Sequence, residues 1–247
     1  MTQEKAGLGE QALNKIAEVA LSTQLDKVER LEVQVKTDPS RLAQGELESL
    51  TIDGDGLVMQ ENIRMEKMEM QISTIAVDPW KALMGNIKLT HPAEGTARIV
   101  LTEADINCAF NSEPFIDKLR NLDIAVEGKP VTLDTQRVDF HLLADGKVSL
   151  DAEVVLRQTD ELRAVSLTTT PRISPGGQGV SLEDTHYSQG KELSPELNKA
   201  LIEKATEILN LHNFEMEGIS LIINQLDVEA GKLTLQAEAK VTQFPSV

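Results

Sequence analysis

Apolar side chains at every second position are the feature that most restricts what this chain can become. Val138, Phe140 and Leu142 alternate with polar residues, Ala144-Asp145-Gly146-Lys147 interrupts the run, and Val148, Leu150, Ala152, Val154 and Leu156 resume it. Asp-Gly between two alternating runs specifies a hairpin, because both residues tolerate the positive φ of a tight turn. The same pattern closes the sequence, with Ile219, Leu221 and Ile223 before Glu229-Ala230-Gly231-Lys232 and Leu233, Leu235, Ala237, Ala239 and Val241 after it. Shorter alternations at Leu31, Val33 and Val35, at Leu50 and Ile52, at Met68, Met70 and Ile72, and at Ala97, Ile99 and Leu101 add further strands. Leu162–Ile173 and Val180–Tyr187 also read as extended. Strands with one apolar face need a second layer to cover it.

Helices supply that layer. Leu13, Ile16, Ala17, Ala20 and Leu21 recur at three- and four-residue spacing, while Glu10, Asn14, Lys15 and Glu18 lie off the stripe. Ser194-Pro195-Glu196-Leu197 opens a second long helix, a cap residue followed by Pro at the first helical position, with the stripe Leu197, Ala200, Leu201, Ala205, Ile208 and Leu209. Thr102 starts a helical stretch, and Ser112 is expected to cap a short helix carrying Phe115, Ile116, Leu119 and Leu122. Asp53-Gly54-Asp55-Gly56 reads as a tight turn, and Ser174-Pro175-Gly176-Gly177-Gln178-Gly179 as a loop or hinge. The expected class is α+β: a long twisted antiparallel sheet packed around amphipathic helices, in a single domain over residues 1–247. Ala144–Glu153 and Glu229–Glu238 resemble each other, which leaves open both a helix-plus-hairpin repeat and a recurrence of turn chemistry. Pattern alone does not decide whether the sheet closes on the helices or leaves an elongated apolar groove.

Hydrophobic residues make up 40% of the chain and aromatics only 3%, so the interior is built from Leu, Ile, Val, Met and Ala. Such an interior serves as an ordinary core and would equally suit contact with acyl chains. The formal net charge of −16 argues against nucleic acid and against electrostatic adhesion to an anionic bilayer. Cys108 is the single cysteine and cannot form an internal disulfide; it is expected to be a small packed side chain. Met1 to Gly9 is polar and charged, with no secretory pattern, and no window of 18 residues is continuously apolar. These features lead to an expected cytoplasmic location, at most peripheral to a membrane.

Catalytic signatures are missing. The sequence has no Gly-x-Ser-x-Gly, no phosphate-cradling P-loop and no Gly-x-Gly-x-x-Gly. His91, His141, His186 and His212 are scattered, without metal-ligand spacing. The calcium reading of Asp53-Gly54-Asp55-Gly56 fails because Leu57 and Val58 stand where an EF-hand needs an oxygen ligand and a glycine. Asp151 and Glu153 fall on the polar face of a strand. The chain is therefore expected to be no enzyme and to need no cofactor or metal. Trp80, with Leu83 and Met84 on a short amphipathic turn, suits either a plug at one end of the core or a seat at a membrane interface.

Leu101-Thr102-Glu103-Ala104-Asp105-Ile106-Asn107 resembles the central segment of the LmeA-like phospholipid-binding family, in the form found in cyanobacteria. Asn213-Phe214-Glu215-Met216-Glu217-Gly218-Ile219-Ser220-Leu221 and Val228–Ala237 resemble its closing hairpin. The resemblance runs from about residue 8 to the end. It implies a fold akin to tubular lipid-binding domains, where a curved sheet wraps a long helix, and a lipid partner, either a phospholipid or another glycerolipid. A transient membrane surface goes with that partner. The envelope role of the actinobacterial namesake does not carry over, since no signal or anchor is visible here. The candidate lipid-lining residues are then those of the apolar faces: Leu13, Ile16, Ala20, Leu150, Val154, Leu197, Leu201, Leu235 and Ala239. The alternative is a closed-core acidic scaffold that binds a protein partner.

Overall fold

The computed structural model describes residues 8–59, 63–78, 88–126, 129–188, 195–210 and 218–243. In chain order its strands are β1 (Arg30–Lys36), β2 (Glu46–Met59), β3 (Ile63–Ala76), β4 (Lys88–Thr102), β5 (Leu122–Val126), β6 (Lys129–Leu142), β7 (Val148–Leu156), β8 (Glu161–Ile173), β9 (Val180–Tyr187), β10 (Ile219–Glu229) and β11 (Lys232–Gln243). The longer helices are α1 (Leu8–Ser22), α2 (Glu103–Phe110) and α3 (Pro195–Ile208). Ser194, the expected cap of α3, lies outside the described residues.

The α+β class holds, with antiparallel sheets, but the strands form two sheets where one was expected. The first has the order β1-β2-β3-β4-β11-β10, and the second runs β5 to β9 in sequence order. The reason lies at the end of β4. Its free side is taken by β11, from Lys232 opposite Thr102 to Val241 opposite Ala93, so β5 has no edge to join there. At the same point the chain turns into α2 through a reciprocal cap. The Asp105 amide donates to Thr102 Oγ1 at 3.1 Å, and the Thr102 amide donates to the Asp105 carboxylate at 2.8 Å.

α2 then joins the two sheets. Residues 103 and 107, with 111 at the C-cap, lie about one turn apart on one side. The Leu142 amide donates to Glu103 Oε2 at 2.8 Å. Asn107 accepts from the Phe140 amide at 2.7 Å and donates to the Phe140 carbonyl at 2.9 Å. Asn111 makes the same pair with Val138, at 3.1 and 2.6 Å. Four helical residues advance about 6 Å and two strand residues about 6.6 Å, so the two periods match over this length. α1 treats the edge of β1 in the same way. Asn14 accepts from the Val35 amide at 2.7 Å, and Glu10 from the Thr37 amide at 3.3 Å. Glu10 and Asn14, which lie off the apolar stripe of α1, are therefore edge-strand partners.

Four further expectations change. Gly54 to Gly56 is not a turn but part of β2, which keeps one register with β3 on either side of Gly56. A side chain at Gly54 would collide with Leu57, and Gly56 has a φ of +58° under the Glu29 side chain. These glycines clear space on a sheet surface, while Asp53 and Asp55 between them ion-pair with Arg30 on β1. Ser112 stands at the N-terminus of a short helix, Glu113–Ile116, as expected, but its side chain makes no capping bond. Its hydroxyl donates to the Ala109 carbonyl at 2.6 Å, the chain makes one turn over Glu113–Ile116 and a tighter one over Asp117–Leu119, and Leu122 already opens β5. The glycine segment 174–179 is a packed turn rather than a hinge, since a side chain at Gly177 would fall 2.6 Å from the Ile223 carbonyl oxygen. Cys108 is exposed, not packed.

Register explains the interior of the first sheet. One apolar row crosses all six strands as Val33, Ile52, Met70, Ala97, Ala237 and Ile223, and the next as Val35, Leu50, Ile72, Gly95, Ala239 and Leu221. Leu13, Ala17 and Leu21 of α1 pack against this cluster. The second sheet curls around α3, which touches both of its outer strands, β5 and β9. Between the sheets sits an aromatic knot, with the Phe110 ring 4.6 Å from Phe140 and 5.8 Å from Phe115, centroid to centroid.

Two substitutions test this frame. A methyl at Gly95 would sit 2.3 Å from the Gln71 carbonyl oxygen on the neighbouring strand. Gly95→Ala is expected to cost about 1–3 kcal/mol, read as a lower urea midpoint at unchanged m-value. Asn107→Ala strands the Phe140 N–H and C=O together. It is expected to cost about 2–4 kcal/mol and to speed hydrogen exchange at the Phe140 amide.

Candidate functional site

One face of the first sheet carries an apolar groove. Its floor is Ile52, Met65, Met68, Met70 and Ile99, its far wall Ile219 and Leu221, and its near wall Leu21, Gln24, Leu25, Leu31 and Met59. The floor residues share a face because they are cross-strand partners: Ile52 lies opposite Met70, and Met68 opposite Ile99. Leu31 of the near wall comes from β1 and Met59 from the end of β2, while Leu21, Gln24 and Leu25 come from the last turn of α1 and the segment after it. That segment is fixed at one end by the Asn14–Val35 bond and at the other by the Asp26 amide, which donates to the Val58 carbonyl at 2.8 Å.

Four of the seven methionines in the chain lie in this groove. Met65, Met68 and Met70 are buried, and Met59 is half-buried. Unbranched thioether side chains fill irregular space and repack at low cost. They leave a free volume of about 70 Å³. Ligand sites for drug-sized molecules hold roughly 300–1,000 Å³, so the methionines themselves occupy most of the groove. Gln24 is the single polar residue in its lining.

The structure distributes the candidate lining residues over three places, and none of them lines this groove. Leu150, Val154, Leu197 and Leu201 come together where the second sheet wraps α3; Val154 has no exposed surface and Leu197 is buried. Leu13 packs into the first-sheet cluster, Ala20 is half-buried beside it, and Ile16 points outward, 63% exposed. Leu235 and Ala239 lie on β11, Ala239 buried and Leu235 half-buried opposite Ile99. Trp80, Leu83 and Met84 fall outside the described residues. The groove methionines were the missed signal: Met59, Met65, Met68 and Met70 crowd into a stretch of twelve residues.

Charged groups cluster away from the groove floor. Asp105, 5% exposed, meets Arg64 at 2.9 Å, and Arg64 also reaches Glu66 and Glu29. Those three carboxylates raise the Arg64 guanidinium pKa above its ordinary value, Asp105 most of all. This pair braces α2 against β3. Among the described residues no group of three or more His, Cys, Asp or Glu side chains is placed to hold a metal ion, and no helix is long and apolar enough to cross a membrane.

In comparisons with known proteins, no curated protein and no solved structure matches this chain. The family model described as LmeA-like phospholipid-binding matches residues 5–238, nearly the whole length. That span takes in the capped turn into α2, both helix-to-strand ladders and every residue of the groove. The chain belongs to the LmeA-like phospholipid-binding family.

Proposed function

We propose that this protein binds a phospholipid without chemistry of its own, and that an acyl chain enters the methionine-lined groove between α1 and the first sheet. The observation that carries the reading is the groove's lining, all apolar but for Gln24 and rich in the one side chain that repacks most readily. Each methylene moved from water to such a lining contributes about 0.8 kcal/mol, so ten carbons offer roughly 8 kcal/mol before any cost of opening. The free volume of about 70 Å³ holds only a small part of such a chain. Binding therefore involves swinging the methionines aside and moving the Leu21–Leu25 wall outward between its two fixed ends. An acyl chain suits this better than a charged ligand, because nothing in the floor would pair a buried charge. In the same reading, Ile16 (63% exposed) and Val19 (49% exposed) on the outer face of α1 rest against a membrane surface during lipid exchange. With a net charge of −16, that surface is neutral rather than anionic.

Native mass spectrometry and lipid extraction of freshly purified protein test the proposal. The unmodified chain is expected to carry a phospholipid. Leu25→Lys and Met59→Lys, both at half-exposed wall positions, are expected to lower the bound fraction at least tenfold while keeping the folded circular-dichroism spectrum. Protein that carries no lipid and takes up no apolar dye would rule the reading out.

A further inference from the structure

The opposite face of the first sheet carries a different cavity. Arg98 and Ile99 are neighbours on β4, and Gln236 and Leu235 on β11, so alternation sends Arg98 and Gln236 away from the apolar groove. They form one wall of a cleft of about 440 Å³, closed on the other side by Thr170 to Arg172 of β8. That volume is within the range of small-ligand sites. Thr234 stands in the same wall, 7% exposed, and its hydroxyl has no hydrogen-bond partner among the described residues.

The charges of the cleft are unbalanced in a particular way. Arg98 is offset by Glu69 at 3.3 Å. Arg172, across the cleft, has no carboxylate partner among the described residues. Asp227 faces Thr234 across the β10–β11 ladder and accepts only from Gln225, which does not neutralise it. Glu229 lies two residues further along the same strand face, also without an ion pair. A plain anion meets two carboxylates here, and a plain cation meets a free guanidinium. A ligand carrying both signs satisfies both ends. Its anionic end meets a guanidinium and the unpartnered hydroxyl of Thr234, a donor set that suits the several oxygens of a phosphate group.

We propose that this cleft binds a small zwitterion of the phosphoethanolamine or phosphocholine type, with its phosphate on Arg172 and Thr234 and its ammonium on Glu229 and Asp227. The sheet separates the two cavities, so this site does not rest on the groove reading, and a lipid tail in the groove cannot place its own head group here. The ligand arrives from outside, either as a soluble phosphoester or as the head group of a lipid in a bilayer.

Calorimetric titration at low salt with phosphoethanolamine, phosphocholine, inorganic phosphate and ethanolamine tests the site. The zwitterions are expected to bind at least tenfold more tightly than phosphate or ethanolamine alone. Arg172→Gln and Thr234→Val should weaken zwitterion and phosphate together, Arg172→Gln by tenfold or more. Glu229→Gln should weaken the zwitterions while leaving phosphate unchanged or tighter. The absence of saturable binding at millimolar ligand would overturn the assignment, as would a Glu229→Gln protein that loses phosphate as readily as zwitterion. Flotation with phosphatidylethanolamine vesicles separates the sources: flotation lost in Arg172→Gln identifies a lipid head group, and flotation unaffected by that change identifies a soluble ligand. Arg172→Gln protein should keep any lipid that co-purifies with the parent, so failure at one cavity is readable apart from failure at the other.

Discussion

Edge strands impose the constraint on which the rest of this architecture depends. A strand with a neighbour on one side only leaves alternate N–H and C=O groups unpaired, and where the surface is covered those groups need partners. Here helices provide them through side chains. Glu103, Asn107 and Asn111 serve Leu142, Phe140 and Val138 on β6, and Asn14 and Glu10 serve Val35 on β1 and Thr37 just after it. Spacing by four on a helix and by two on a strand agrees closely enough to hold over two or three contacts. It would drift out of step over more, so both ladders are short. The polar residues of the segment Leu101–Asn107 thereby acquire definite work. Thr102 and Asp105 end β4 and start α2, Asp105 anchors Arg64, and Glu103 and Asn107 carry the second sheet. This segment is the joint between the two sheets.

Much of this was legible because hairpins and helices declare themselves locally. The Asp145-Gly146 and Ala230-Gly231 turns, the alternation on either side of them and the Thr102 cap all follow from neighbours in sequence, and all are found. Sheet membership is not local. Nothing in β4 announces that its free side is reserved for β11, more than a hundred residues later, and that pairing divides the strands between two sheets. Gly54 to Gly56 misled for a related reason. Glycine signals a turn when judged by backbone freedom, but here it makes room for Leu57 and Glu29, which is a fact of packing.

The candidate site shows the same limit. Alternation identified which side chains face inward, and Leu150, Val154, Leu197 and Leu201 do face inward. Curling around α3 packs that face against the helix. In the first sheet the corresponding face is wide and its helix lies along the β1 edge, so α1 covers it incompletely and methionine takes up the remainder. The two interiors therefore differ in character as well as in place. Phe110, Phe115 and Phe140 lock the joint with rigid rings, whereas the groove is lined by thioethers with three rotatable bonds each.

That difference bears on how a nearly full groove would serve the acyl chain proposed for it. A cavity kept permanently open in an aliphatic core forfeits contact energy on every wall, and for a space that would hold a fatty tail the loss is large against a total stability of roughly 5–15 kcal/mol. Filling the space with side chains that leave easily avoids the loss until a ligand replaces them, and the ligand's own methylenes then restore the contacts. Opening demands something fixed to open against. The coiled sheet supplies the floor and the aromatic joint holds the second sheet in place, while the ladder from Asn14 and Glu10 pins the first half of α1. Adaptability is left to the short wall after it, where apolar contact rather than a side-chain ladder holds the chain against the sheet.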